Sequence, residues 1–231
     1  MRSIKAIFIK QAKDMLKNPT VLVMFIIFPA VAWVMTLLVA KSNEAIPNNL
    51  FVMMMSGIFA GMALISAASA IIAEDIERRS LRFMVIAGVK PQEYLIGTGG
   101  FLLLAGSFSA IMFALIADFN GMEIVKFLVI MIFGITASII LGTAIGMLSK
   151  NQQAATALAT PIAMVLGFIP MIASFNESVS KFANIFYTQQ ISVIINDFSM
   201  SLTNPLLIIL LNCLVFIALF IYAYKKKGLK D

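Results

Sequence analysis

The sequence predicts an all-α membrane protein with six transmembrane helices. Hydrophobic residues fill 61% of its 231 positions and charged residues 12%, against about half and about a quarter in soluble domains. Six stretches carry no charge, 18–40, 45–73, 94–117, 127–149, 151–176 and 198–224, and each has at least 23 residues. About 20 apolar residues suffice to cross roughly 30 Å of hydrocarbon. Lipid-exposed backbone must satisfy its own hydrogen bonds, so these runs are read as helices. The third observation is where lysine and arginine fall. Arg2, Lys5, Lys10, Lys13, Lys17, Arg78, Arg79, Arg82, Lys90, Lys150, Lys225, Lys226, Lys227 and Lys230 border one side of the six spans. Only Lys41, Lys126 and Lys181 border the other. The positive-inside rule then places both termini in the cytoplasm of a multi-pass cell-membrane protein. The net charge of +6 is thereby a topology signal. Basic residues scattered along membrane borders give no nucleic-acid surface.

Residues 1–19 form the first element. Ile4, Ile7, Phe8, Gln11, Met15 and Leu16 recur at spacings of three and four, with Lys10, Lys13 and Lys17 on another face. This is the pattern of a helix lying in the membrane interface. The segment is too polar for a signal peptide, and no small-residue cleavage site follows the first apolar run. Span one covers 20–40 and carries Pro29, which removes a ladder bond. The sequence leaves open whether Trp33 faces lipid or protein.

Span two covers 50–73. It holds Met53, Met54, Met55 and Met62, the pair Gly57-x-x-x-Gly61, and a run of small residues from Ser66 to Ala70. Small residues let helices approach closely and methionine adapts to varied apolar shapes. Ordinary packing and a substrate-contacting face both fit this composition. Residues 74–93 then form the densest charge cluster, of both signs, threaded by Ile76, Leu81, Phe83, Met84 and Val85. Composition leaves two readings of it: a surface helix that docks into a partner's groove, or a solvated loop that enforces topology. Gly88 and Pro91 break it before span three.

Spans three and four cover 94–117 and 126–148, joined by a turn at Asn120-Gly121. Span four ends in Gly142-x-x-x-Gly146, a second close-packing pair. Span five covers 153–174. Its Pro161, Gly167 and Pro170 predict a bent or interrupted helix, and irregular backbone at depth needs protein or a cavity beside it. Residues 175–201 contain an uncharged piece of only 15 residues, 182–196, too short to span. They are read as an external re-entrant segment. Span six covers 203–224 and ends in an aromatic and basic anchor, Tyr222, Tyr224 and Lys225–Lys227.

The chemistry that is missing narrows the function. Histidine is absent and Cys213 is the lone cysteine, so neither a disulfide framework nor a Cys/His zinc site nor a histidine-based catalytic set can be assembled. No ionisable residue lies inside the six runs, which argues against an ion-coupled carrier. No phosphate-binding loop is present, so the chain does not bind ATP by that route. A channel or carrier and a non-transporting anchor or sensor subunit are the alternative classes. The favoured picture is a passive membrane component energised by another protein.

The order of these parts resembles the membrane permease subunit of type-2 ATP-binding-cassette (ABC) exporters, over nearly the whole chain. The likeness rests on residues 3–17 as the elbow helix, closed by Lys17-Asn18-Pro19 with Pro29 beyond. It rests also on Glu77-Arg78-Arg79-Ser80-Leu81-Arg82-Phe83-Met84-Val85 as the first cytoplasmic loop. Arg79 stands where that family usually has glycine, and Gly88 where it usually has proline. Lys150-Asn151-Gln152-Gln153-Ala154-Ala155 with Pro161 resembles the start of its fifth helix, and 175–201 its re-entrant segment.

The resemblance implies a second permease copy or paralogue as partner, alongside membrane lipid. It also implies a cytoplasmic ABC ATPase that carries the ATP and magnesium, this chain binding no cofactor. Glu74, Asp75, Glu77, Arg78, Arg79, Leu81, Arg82 and Phe83 would dock the ATPase. Phe25, Met54, Ser66, Thr156, Thr160, Met164 and Met171 would line the substrate pathway between protomers. The lack of midplane charge suits a hydrophobic or amphipathic cargo: a peptide, a lipid-like molecule or a drug.

Overall fold

The computed structural model describes residues 2–17, 19–43 and 46–228. Asn18 of the elbow's closing tripeptide and Lys230 of the terminal basic group lie outside the described residues. Among the described residues eleven α-helices follow one another: α1 (Arg2–Lys17), α2 (Pro19–Met35), α3 (Leu50–Ile58), α4 (Leu64–Glu77), α5 (Ser80–Ile86), α6 (Pro91–Ile116), α7 (Gly121–Leu148), α8 (Gln152–Ala173), α9 (Glu177–Ala183), α10 (Tyr187–Asn196) and α11 (Thr203–Gly228). Wider π-helical turns at Thr36–Ala40 and Phe59–Ala63 extend α2 and join α3 to α4. Six of the resulting rods are long and apolar enough to cross a membrane: Val21–Ala40, Leu50–Glu77, Pro91–Ile116, Gly121–Leu148, Gln152–Ala173 and Thr203–Lys226. No strand occurs among the described residues.

The α3–α4 rod is central. α2 packs on α3, α7 and α8 pack on α4, and α6 and α11 pack on α7. Two glycine pairs set how closely these rods cross. A Cβ on Gly142 would come within 2.6 Å of the Ile65 carbonyl oxygen, and one on Gly146 within 2.6 Å of that of Ser69. At the α8 crossing, a Cβ on Gly61 would reach 2.7 Å from the Gly167 Cα. Gly57, one turn before Gly61, has nothing within 4 Å and makes no such approach. The π turn between α3 and α4 displaces ladder bonds, and Ser138 of α7 responds by donating to the Ala60 carbonyl. The Tyr187 hydroxyl, from α10, lies 2.8 Å from the same Ser138 Oγ.

Of the bent or interrupted helix expected in span five, the structure shows no interruption. α8 runs unbroken through Pro161 and Pro170; each proline removes one ladder bond without ending the helix. Trp33 projects outward, 54% exposed.

Between α8 and α11 the chain forms a short helical hairpin, α9–α10. Asn176 Oδ1 caps α9 by accepting from the Ser178 and Val179 amides. The hairpin tip reaches the middle of the bundle, where Tyr187 meets Ser138 and stacks edge-on against Phe216. Its carbonyls are satisfied by side chains: Gln190 Nε2 donates to Asn184 at 2.6 Å, and Asn212 Nδ2 of α11 donates to Ile185 at 2.9 Å. Backbone without water must find such partners.

The close crossings make a paired test. Gly142→Ala is expected to destabilise the protein by about 1–3 kcal/mol, the cost of overpacking a tight site. Gly57→Ala, with open space around it, is expected to leave stability unchanged or slightly raised. Thermal unfolding of both variants in the same detergent checks the contrast.

Candidate functional site

The elements that carry the basic residues of the first side, α1, the loop from α4 to α6, the turn from α7 to α8 and the end of α11, come together at one end of the bundle. There Ile7 of α1, Ile72 of α4, Leu81 of α5, Tyr94 of α6, Met147 of α7 and Phe220 and Tyr224 of α11 form one apolar cluster. α1 lies across this end with Ile7, Gln11 and Met15 turned inward at four-residue spacing. Its approach to α6 is close, since a Cβ on Gly97 would sit 2.8 Å from Ile7.

At the centre of this end is Asp75, 2% exposed, on the inward face of α4. Four side chains from three other helices converge on its carboxylate. Lys10 Nζ forms an ion pair and Gln11 Nε2 donates at 2.9 Å, both from α1. Ser80 Oγ donates at 2.8 Å from α5, and the Tyr94 hydroxyl at 2.7 Å from α6. Gln11 also reaches Thr98 Oγ1 at 3.4 Å. Burial alone would lower the pKa of Lys10, but the negative charge of Asp75, its hydrogen bond and Asp14 reverse the sign. Lys10 therefore titrates above its ordinary 10.5. The stability linked to this raised pKa is present throughout the physiological range and is lost as pH rises through the raised value.

The loop after α4 is built by two left-handed residues. Arg79 has φ 58° and turns the chain from α4 into α5, the conformation glycine adopts most easily. Gly88, at φ 81°, ends α5 in a Schellman closure: the Val89 amide donates to Met84 O and the Gly88 amide to Val85 O, each at 3.0 Å. Pro91 then starts α6, with the Lys90 amide donating to Glu93 Oε2 at 3.1 Å.

The eight loop residues singled out in the sequence separate into two sets. Asp75 and Leu81 point into the protein, so neither presents a surface to a partner. Glu74 is half-buried and pairs with Arg78 at 2.7 Å. Glu77 accepts from the backbone amide of Gln152 at 3.1 Å, placing its charge at the N-terminus of α8, where the helix dipole favours an anion. The acids thus bind the chain to itself. The outward set is Arg79, Arg82 and Phe83, joined by Ile86; Phe83 and Ile86 are 70% and 73% exposed. Among the described residues no ion pair engages Arg79 or Arg82.

The seven proposed pathway residues are also divided. Phe25 is buried in the protomer, edge-on to Phe59 at 6.1 Å, with its carbonyl accepting from Ser109 at 2.7 Å. It lines no open surface. Met54 and Met171 border a cavity of about 240 Å³ between α3, α8 and α10. Ser66 is half-exposed on α4. Thr156, Thr160 and Met164 form an exposed stripe on α8, both hydroxyls donating back to carbonyls of their own helix.

Sequence reading missed Lys10, Gln11, Ser80 and Tyr94 as partners of one acid. One signal was visible: Gln11 is the only polar member of the apolar stripe of α1. A polar residue on a buried stripe calls for a partner.

The family model described as ABC-2 type transporter matches residues 2–187. The chain belongs to that family: it is a multi-pass transmembrane subunit of an ABC transporter, a transport component and not itself an enzyme. No curated protein gives a significant match.

Removing the Asp75 carboxylate takes an acceptor from four donors, although Lys10 keeps Asp14 at 3.0 Å, Gln11 keeps Thr98 and Ser80 keeps the residue-75 carbonyl at 3.0 Å. Asp75→Ala is expected to cost about 2–4 kcal/mol, allowing for solvent around the partly exposed Lys10. Asp75→Asn, which keeps an acceptor, is expected to cost less. Thermal unfolding of the two variants in lipid nanodiscs, with protease cleavage within α1 as the local readout, measures both. At the left-handed position, Arg79→Val is expected to destabilise more than Arg79→Gly, because a β-branched side chain fits φ 58° poorly.

Proposed function

We propose that this chain is the permease of an ABC exporter whose separate ATPase docks on α5. The observation that carries this reading is the sorting of charge in residues 74–93. The acids are taken up by the protein's own contacts, Asp75 with Ser80 of α5, Glu74 with Arg78 and Glu77 with α8, while Arg79, Arg82, Phe83 and Ile86 stand outward as a small basic and apolar knob. Such a knob suits an acidic, apolar-floored groove. The same end gathers the basic residues, which supports a cytoplasmic placement of both termini.

In this reading ATP and magnesium belong to the partner, and closure of paired ATPases displaces α5. Two linkages would carry the displacement onward. The Asp75 cluster ties α5 to α1 and α6, and Glu77 ties the end of α4 to α8. Nucleotide can bias the bundle only through its different affinity for the two arrangements. The cargo would be hydrophobic or amphipathic and would pass between two protomers. The exposed Thr156–Met164 stripe of α8 and half-exposed Ser66 of α4 are the candidate contacts, with Met54 and Met171 nearer the outer mouth.

The test is association with the ATPase. Arg82→Glu combined with Phe83→Ala is expected to weaken co-purification by roughly thirtyfold or more, the effect of losing an interface hot spot. Glu77→Gln is expected to leave association within about twofold and to lower ATP-dependent transport in vesicles. Unchanged association in the double variant would overturn the docking reading. Flux from the purified chain without ATP would instead point to a channel or carrier.

A further inference from the structure

A second feature of the bundle lies away from both the loop and the pathway stripe. Between α8 and α11 is a groove of about 600 Å³, within the size range of small-molecule sites. Its walls are Ile162 and Val165 of α8 and Leu211 and Val215 of α11. Leu141 of α7 forms its floor, and the hairpin tip at Phe186 closes it toward the end away from the basic residues.

Its depth follows from helix rise. Ile162 is ten residues from the start of α8 and Phe216 ten residues from Lys226, so both lie about 15 Å above the basic end. That is the middle of the hydrocarbon. The wall residues Ile162, Val165, Leu211 and Val215 are 39%, 58%, 60% and 58% exposed, so the mouth opens on the outer surface of the bundle.

The chemistry excludes water. The lining has one polar side chain, Asn212, and its amide nitrogen is already committed to the Ile185 and Ile208 carbonyls. Cavities lined by aliphatic groups stay dry and accept apolar guests. The groove is short and ends part-way along α8 and α11 at Ile185 and Phe186, which suits a single hydrocarbon chain better than the side of a transmembrane helix. α8 also differs between its two exposed sides. Thr156 and Thr160 lie on one, and only aliphatic side chains at Leu158, Ile162, Val165 and Ile172 on the other. The second side suits lipid.

We propose that the groove is an acyl-chain site, in which a phospholipid of the surrounding bilayer inserts a hydrocarbon chain between α8 and α11 beneath the hairpin tip. The chain completes the packing under Phe186 and supports the tip that Asn212 holds.

Bromine quenching tests this on the full chain. In a Trp33→Phe background, one tryptophan is placed at Leu211 on the groove's rim, or at Leu104, 61% exposed on α6. Each protein is reconstituted with dibrominated-chain phosphatidylcholine, then extracted and washed in unbrominated detergent. Both should be quenched in the bilayer. After washing, quenching should persist at the groove tryptophan and fall at least several-fold at the control. Equal loss at both positions would overturn the proposal. Native mass spectrometry gives the independent arm. The wild-type chain should retain a bound phospholipid that the groove-filling Val215→Trp variant lacks. Retention unchanged in a folded Val215→Trp protein would likewise overturn it, and should that variant not fold, the quenching result decides.

Discussion

A carboxylate withdrawn from water must recover its hydration from neighbours, and Asp75 recovers it from α1, α5 and α6 at once. Four helices are therefore fixed relative to one another by one side chain. Breaking these hydrogen bonds to a buried acid is costly, which couples the positions of the four helices. The elbow helix, which amphipathicity alone would leave free to slide in the interface, is pinned across the bundle. The loop helix, with only seven residues, is too short to be stable alone; it owes its place to Ser80, to Leu81 in the apolar cluster and to the Schellman closure at Gly88.

A related constraint governs the opposite half. Backbone that leaves helical geometry at depth loses its internal partners, and the chain supplies replacements from side chains. Ser138 serves the π turn of the central rod, Gln190 and Asn212 the hairpin tip. These polar residues carry no charge, which is consistent with an interior built without ionisable groups. Glycines where α7 crosses α4 and where α8 crosses the π turn before it bring backbones close enough that the protein packs by van der Waals contact, the force available where lipid removes any hydrophobic advantage.

Much of this was legible. Length and charge distribution marked the six rods, because hydrocarbon thickness and the cost of burying charge act on segments one at a time. Gly142 and Gly146 announced a close crossing by their spacing. Other features misled. Pro161 and Pro170 suggested a bent or interrupted helix, yet α8 is not interrupted, since a neighbouring framework tolerates two missing bonds. The mixed charges of residues 74–93 suggested a surface of both signs, yet its acids are spent on the protein's own contacts. Phe25 was a plausible pathway residue and is core.

By itself, then, the sequence determined the membrane class, the number of spans and the basic end. Those properties depend on local composition and on solvent, which every segment meets independently. Only the tertiary structure decided that Lys10, Gln11, Ser80 and Tyr94 share one acid, that Arg79, Arg82 and Phe83 are left outward, and that α8 and α11 enclose a groove. Those depend on which residues distant in the chain are brought within hydrogen-bond or van der Waals reach, and spacing along one helix cannot specify the face of another.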